Sequence, residues 1–197
     1  AEALRETDKH RDEIDDEFVY DDARDPSDGR CPSPCRFEGA QETVLLVRGF
    51  GKTYGCTGWR MGYAAGPAKL LAEMTKVQQY SFVCAPAVTQ FAALACPQVD
   101  LHPYFDAYRI KRDLIVGILG RHFEIGPPDG AFYLWAKAPQ GHSGTSFVEQ
   151  AISRNLLIIP GGVFSERDSH FRICYTVPDD ILRQGAELLC ELAAGQP

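Results

Sequence analysis

The sequence predicts an α/β fold, and three observations predict it. Short apolar runs rich in β-formers alternate with segments of helical periodicity. Glycine and proline fall at the joints between them. An apolar fraction of 45% over 197 residues is enough to bury a core without disulfide staples.

Each element follows from its residues. TVLLV, residues 43–47, is a short apolar run bounded by Arg48-Gly49 and reads as a buried strand. MGYAAG, 61–66, reads as a second strand closed by Gly66-Pro67. Pro67 is placed to open a helix over PAKLLAEMTKVQQY, where Leu70, Leu71, Met74 and Val77 share a face. Pro86 opens another, AVTQFAALA, apolar on most sides and therefore expected to be buried. Residues 97–103 form a break that sets a domain boundary, giving domains 1–98 and 99–197. Beyond it, YFDAYRIKRDLIVGILGRH is a long amphipathic helix, GAFYLWAK a strand and SFVEQAISRN a helix. NLLIIPGG and HFRICYTV read as strands, and ILRQGAELLCELA as the closing helix after Pro178.

The charge is concentrated at one end. Residues 1–30 hold 12 acidic and 5 basic side chains, so the whole net charge of −7 sits there and the remainder is neutral. With few apolar residues to bury, 1–42 is expected to be an acidic, loop-rich segment. An acidic balance excludes the basic face a nucleic-acid binder presents to phosphates. No apolar run approaches the length of a membrane span, and AEALRETDKH lacks the apolar core of a signal peptide. Seven irregularly spaced cysteines fit reduced thiols, and a cytoplasmic protein is expected.

Several short motifs fail on spacing. Gly51-Lys52-Thr53 would end a phosphate-binding loop only if residue 46 were glycine, and it is leucine. A dinucleotide fingerprint from Gly49 requires glycine where Tyr54 stands. The serine elbow at 141–145 ends in Thr145 instead of glycine. Cys31 and Cys35 have no second ligand pair at zinc spacing, and the five histidines are scattered, so no metal site is expected.

RGFGKTYGCTGWRMGYAAGP, residues 48–67, is the segment that carries chemistry. It puts Lys52 in a glycine-rich turn directly after a strand. A lysine held there against apolar surroundings loses solvation of its ammonium form and becomes available for Schiff-base chemistry. Arg60, opening the next strand, can return to the same sheet end and grip a phosphate with its guanidinium fork. An aldehyde-binding amine and a phosphate-binding guanidinium together answer to pyridoxal phosphate.

The full string resembles the lysine signature S-F-S-K-x-Y-x-M-T-G-W-R-x-G-Y of the fold-type I pyridoxal-phosphate aminotransferases, class I/II, the aspartate-aminotransferase-like group. Phe50, Lys52, Tyr54, Thr57, Gly58, Trp59, Arg60, Gly62 and Tyr63 match in register. The resemblance implies that Lys52 forms the Schiff base with the cofactor aldehyde and later moves the proton at the substrate α-carbon. It implies that Arg60 anchors the phosphate of pyridoxal 5'-phosphate. PDGAFYLWAK is similar to the family's P-x-G-A-F-Y strand, and PGGVFSERDSHFRICYTVP to its P-G-x-x-F…F-R-I-S-Y segment. That puts Arg172 where the family grips the α-carboxylate. DEIDDEF resembles D-E-I-Y-x-x-F, with Asp12 as the implied partner of the pyridine nitrogen. The family carries serines where Gly49 and Gly51 stand here, and a tyrosine where Asp15 stands.

The resemblance covers the family's C-terminal half. It implies the C-terminal part of a pyridoxal-phosphate-dependent large-domain sheet followed by a small α/β domain, and a partial chain. The implied activity is amino-group transfer from an amino acid to a 2-oxo acid in a homodimer, with no nucleic-acid or membrane partner. The alternatives are a non-catalytic remnant or interaction module, or another enzyme of this fold such as a C–S lyase or a decarboxylase.

Overall fold

In the computed structural model, residues 11–14 are described by their backbone and residues 18–27 and 29–195 in full. The chain divides into two compact units, Ala1–Leu101 and His102–Pro197.

The first unit is built on VLLVRG, the strand β2 (Val44–Gly49). It pairs in parallel with β1 (Arg11–Ile14) and antiparallel with β3 (Gly62–Ala65), in the order β1-β2-β3. Strand β1 corrects one expectation, because it lies inside the acidic stretch read as loop. A backbone ladder along an apolar central strand recruits a polar segment that hydropathy alone would leave unpaired. The four-residue helix α1 (Ala40–Thr43) leads into β2, and α2 (Phe50–Thr53) leaves it.

Two longer helices follow, α3 (Ala68–Ser81) and α4 (Ala87–Ala93). Pro67 and Pro86 stand as their N-caps, where a missing N–H costs nothing. In α3, Leu70, Leu71 and Met74 are half-buried, but Val77 is exposed. Helix α4 overturns the expectation of burial: Val88 is 80%, Phe91 75% and Leu94 70% exposed, and within the helix only Ala93 is buried. The described sheet has strands of four to six residues, and it cannot cover a helix that is apolar on most sides.

In the second unit, β4 (Tyr133–Lys137), β5 (Ile159–Pro160) and β6 (His170–Cys174) form an antiparallel sheet in the order β4-β6-β5. Alternation sends Leu134, Ala136, Phe171 and Ile173 inward. They meet α5 (His102–Leu119), α6 (Gly144–Ser153) and α7 (Asp179–Ala193) in a core centred on three rings. Phe147 lies 5.1 Å from Phe171 and 5.8 Å from Phe123, centroid to centroid. Helix α5 packs along α7, and Lys111, midway along α5, bonds the Val177 carbonyl and Asp179 at the start of α7. Arg112 is buried in α5, with Nε donating to Asp113 at 2.9 Å and Nη1 to the Pro128 carbonyl at 3.3 Å.

NLLIIPGG yields less strand than its apolar run suggests. Asn155 adopts φ 61°, and Pro160 has no N–H to extend the ladder, so two residues pair. Ser143, the serine of the failed elbow, is the N-cap of α6: its Oγ accepts from the Ser146 N–H, and Ser146 Oγ accepts from the Ser143 N–H.

Candidate active site

The connection from β2 to β3 is closed by backbone pairing. Gly49 faces Gly62 in the ladder, and the Phe50 N–H donates to the Met61 carbonyl at 3.1 Å. Inside this closed loop, α2 turns Phe50, Thr53 and Tyr54 to one side, as spacings of three and four require. The Phe50 ring lies 6.0 Å from Tyr54 and 5.7 Å from Tyr63, and Thr53 is buried. Lys52 falls on the opposite side and is exposed. This corrects the expected apolar surroundings: the aromatic side of the turn is taken by Phe50 and Tyr54, which leaves the lysine facing solvent.

The loop then passes through a 3₁₀ turn, Thr57–Trp59, and Arg60 ends it in the left-handed region at φ 49°, ψ 44°. That conformation is unusual for a residue with a Cβ, and here it redirects the chain into β3. The exposed Arg60 side chain donates from Nη1 to the Thr57 carbonyl at 3.5 Å. Lys52 stands three residues past Gly49, and Arg60 two residues before its ladder partner Gly62. The amine and the guanidinium therefore share one end of the sheet.

Two glycines shape this end differently. A Cβ on Gly62 would lie 2.3 Å from the Arg48 carbonyl oxygen, whereas one on Gly49 would meet nothing within 4 Å. On the aromatic side of the loop lies a cavity of about 560 Å³, walled by Arg48, Phe50, Tyr54, Tyr63, Gln90 and Leu94 among others. Neither Lys52 nor Arg60 lines it. Burial pushes the Tyr54 phenol and the nearby Cys96 thiol above their ordinary ranges.

Asp12 belongs to β1, with its backbone in register with Leu45, four residues before Gly49 on β2. Its side chain, the one implied to meet a pyridine nitrogen, lies outside what is described, and Asp15 lies outside the described residues.

Arg172 is on β6, half-buried on the outward face of the second unit's sheet. Its guanidinium carbon lies 4.3 Å from the Tyr133 ring centroid and 4.2 Å from that of Phe164. A guanidinium stacked on rings keeps its N–H donors in its own plane, directed at the edges. Among the described residues, no carboxylate or carbonyl accepts from those donors. The ring partners Tyr133 and Phe164 were not singled out from the sequence. The period of two in YLWAK and HFRIC puts Tyr133 and Arg172 on one face, so half of that signal was there to be read; Phe164 comes from a loop with no periodicity.

The sequence model of the family described as aminotransferase class I and II matches residues 11–189, and the chain belongs to that family. A probable aspartate aminotransferase of Methanocaldococcus jannaschii is 30% identical over 191 residues, covering 92% of this chain and 48% of that protein. An LL-diaminopimelate aminotransferase of Desulforudis audaxviator is 33% identical, covering 81% of this chain and 42% of its own length. The crystal structure of the aromatic aminotransferase from Pyrococcus horikoshii OT3 superposes with a TM-score of 0.83 at 25% identity, over 95% of this chain and 51% of that one. The chain spans about half the length of the curated relatives it matches. Its fold is accordingly that of about half an aspartate-aminotransferase-like transferase. No helix among the described residues is long and apolar enough to cross a membrane.

Proposed function

We propose that this chain carries the Schiff-base and carboxylate-binding parts of a pyridoxal-phosphate-dependent aminotransferase, moving an amino group from an amino acid to a 2-oxo acid. One observation carries the reading: the Gly49–Gly62 pairing holds an exposed amine, Lys52, and an exposed guanidinium, Arg60, at one sheet end.

The residues present fit the cofactor. Its aldehyde calls for an amine and its phosphate for a guanidinium, and a Cβ added at Gly49, between strand and turn, would meet nothing within 4 Å. When bound, the cofactor supplies an aldehyde for amines and a ring that accepts the electron pair released at the α-carbon. Lys52 contributes the amine nucleophile and moves the proton at the substrate α-carbon. Arg60 holds the phosphate by a two-pronged charge-assisted contact. Asp12, by resemblance, keeps the ring nitrogen protonated. Arg172, by resemblance, grips the α-carboxylate, with the donors its ring contacts leave open.

The substrates are an amino acid and a 2-oxo acid, the assembly implied by resemblance is a homodimer, and seven irregularly spaced cysteines fit reduced thiols in a cytoplasmic setting. A second reading, a non-catalytic interaction module, draws on the exposed Val88, Phe91 and Leu94 of α4. One experiment separates the two. The protein is mixed with pyridoxal phosphate, reduced with borohydride and mapped by peptide mass. Labelling confined to the Lys52 peptide and lost in Lys52→Ala supports the aminotransferase reading. Labelling spread over surface lysines such as Lys69 and Lys137 overturns it in favour of the second.

A further inference from the structure

We propose that the outward face of the β4-β6-β5 sheet recognises an α-carboxylate together with the aromatic side chain of the same molecule, so that the substrates are aromatic amino acids and their 2-oxo acids. This rests on Arg172 as the carboxylate clamp and adds the selectivity of the surface around it. Trp135 is the Cα partner of Arg172 in the β4–β6 ladder, which puts the two side chains next to each other on the same face. The indole is 42% exposed, although a tryptophan is among the costliest side chains to leave in water.

It is held in place by its neighbours. The His170 ring stacks on it at 5.8 Å and 13°, and Phe164 meets it edge-on at 5.9 Å. His170 is itself fixed by a 2.8 Å contact between Nδ1 and Ser169 Oγ. Gly161 is what lets the ring settle, because a Cβ there would come within 3.3 Å of Trp135 Cη2 and 2.6 Å of the His170 carbonyl. The result is a pre-formed aromatic floor beside a guanidinium whose edges are open, and a floor that is already ordered loses little entropy on binding.

A dicarboxylate finds less here. A second carboxylate needs a second cation, and Lys137, the next basic residue along β4's outward face, is engaged by Glu124 at 3.0 Å. A planar side chain instead finds Trp135 and Phe164, and aromatic pairs add affinity beyond the area they bury.

The test is calorimetric binding of 3-phenylpropanoate, propanoate and succinate to the full chain without cofactor. We expect 3-phenylpropanoate to bind about tenfold tighter than either aliphatic acid. Trp135→Leu should collapse that preference to about twofold and leave propanoate unchanged. Phe164→Leu, at an exposed loop position, should reduce it too and serves if the tryptophan variant does not fold. Equal affinity for all three acids, lost together in Arg172→Gln, overturns the aromatic selectivity and leaves the clamp standing. A phenyl preference that survives both ring variants overturns it as well. Binding of all three that is indifferent to Arg172→Gln overturns the clamp, and the selectivity with it.

Discussion

Gly62 lies opposite Gly49 in the β2–β3 ladder, and the Arg48 carbonyl oxygen sits 2.3 Å from where a Gly62 Cβ would stand. The backbone itself fills that space, so the strands approach here only because residue 62 has no side chain. Gly62→Ala must push β3 away from β2, an overpacking change that costs about 1–3 kcal/mol. The same strain disturbs the loop that carries Lys52 and Arg60. Thermal melts and borohydride labelling should therefore fail in step: a lower Tm and less modification at Lys52. A variant with unchanged Tm and full labelling would show that the close approach has no bearing on the loop.

Gly49 offers the opposite case. Its φ of −114° suits any residue, and an added Cβ meets nothing within 4 Å. Gly49→Ser should leave Tm within about a degree. By supplying a hydroxyl beside the phosphate position it should tighten pyridoxal phosphate binding by a few-fold to about tenfold, the range of one net hydrogen bond. Gly51→Ser is the contrast, because its Cβ would lie 3.3 Å from Thr57 Cα and press on the turn. Spectroscopic titration of both variants checks the pair, with the gain expected for residue 49 alone.

Arg60 combines a strained backbone with a useful side chain. Its left-handed φ of 49° costs a non-glycine residue roughly 1–2 kcal/mol. Arg60→Gly removes that strain together with the guanidinium, so the variant should melt at or above the parent temperature while losing cofactor affinity by more than about tenfold. Arg60→Ala keeps the strain and loses the same affinity. A Tm that falls in Arg60→Gly would mean that the side chain, through its contact with the Thr57 carbonyl, holds the turn together.

The elements that were legible in the sequence are those whose local signals agree with their surroundings. VLLVRG is apolar, β-branched and bounded by glycine, and it is the central strand; Pro67, Pro86 and Pro178 each stand as the N-cap of a helix. Where the outcome depends on distant partners, the sequence misleads. Residues 11–14 carry three charged side chains yet run as a strand, because β2 offers a free ladder edge. AVTQFAALA has the composition of a buried helix and is exposed, because burial is a property of what lies against it. At the site, the matched signature locates Lys52 and Arg60 at one sheet end, but the exposure of Lys52 follows from Phe50 and Tyr54 taking the aromatic side of a single helical turn. The ring contacts of Arg172 are tertiary: Phe164 reaches it from a loop, and spacing cannot announce that.

That loop has its own anchor, and the anchor titrates. Asp168 accepts from the Thr145 N–H at 2.9 and 3.2 Å with its two carboxylate oxygens, and its carbonyl accepts from the Gly144 N–H at 2.7 Å. The carboxylate thus ties the segment that presents Phe164 to the first turn of α6. The hydrogen bonds with Thr145, and secondarily with Ser143, hold the Asp168 carboxyl below its ordinary value of 3.8. A carboxyl lowered on folding stabilises the fold above its unfolded pKa, and the contribution is lost as pH falls through the lower, folded value. Asp168→Asn should therefore melt below the parent at neutral pH, and the two curves should converge as the pH falls below the ordinary carboxyl value of 3.8. Because Phe164 lies over the Arg172 guanidinium, the same variant should weaken carboxylate binding at neutral pH while Arg172 itself is untouched. Melting curves that stay separated at the acid end would mean that the asparagine acts through packing and that the Asp168 charge contributes nothing.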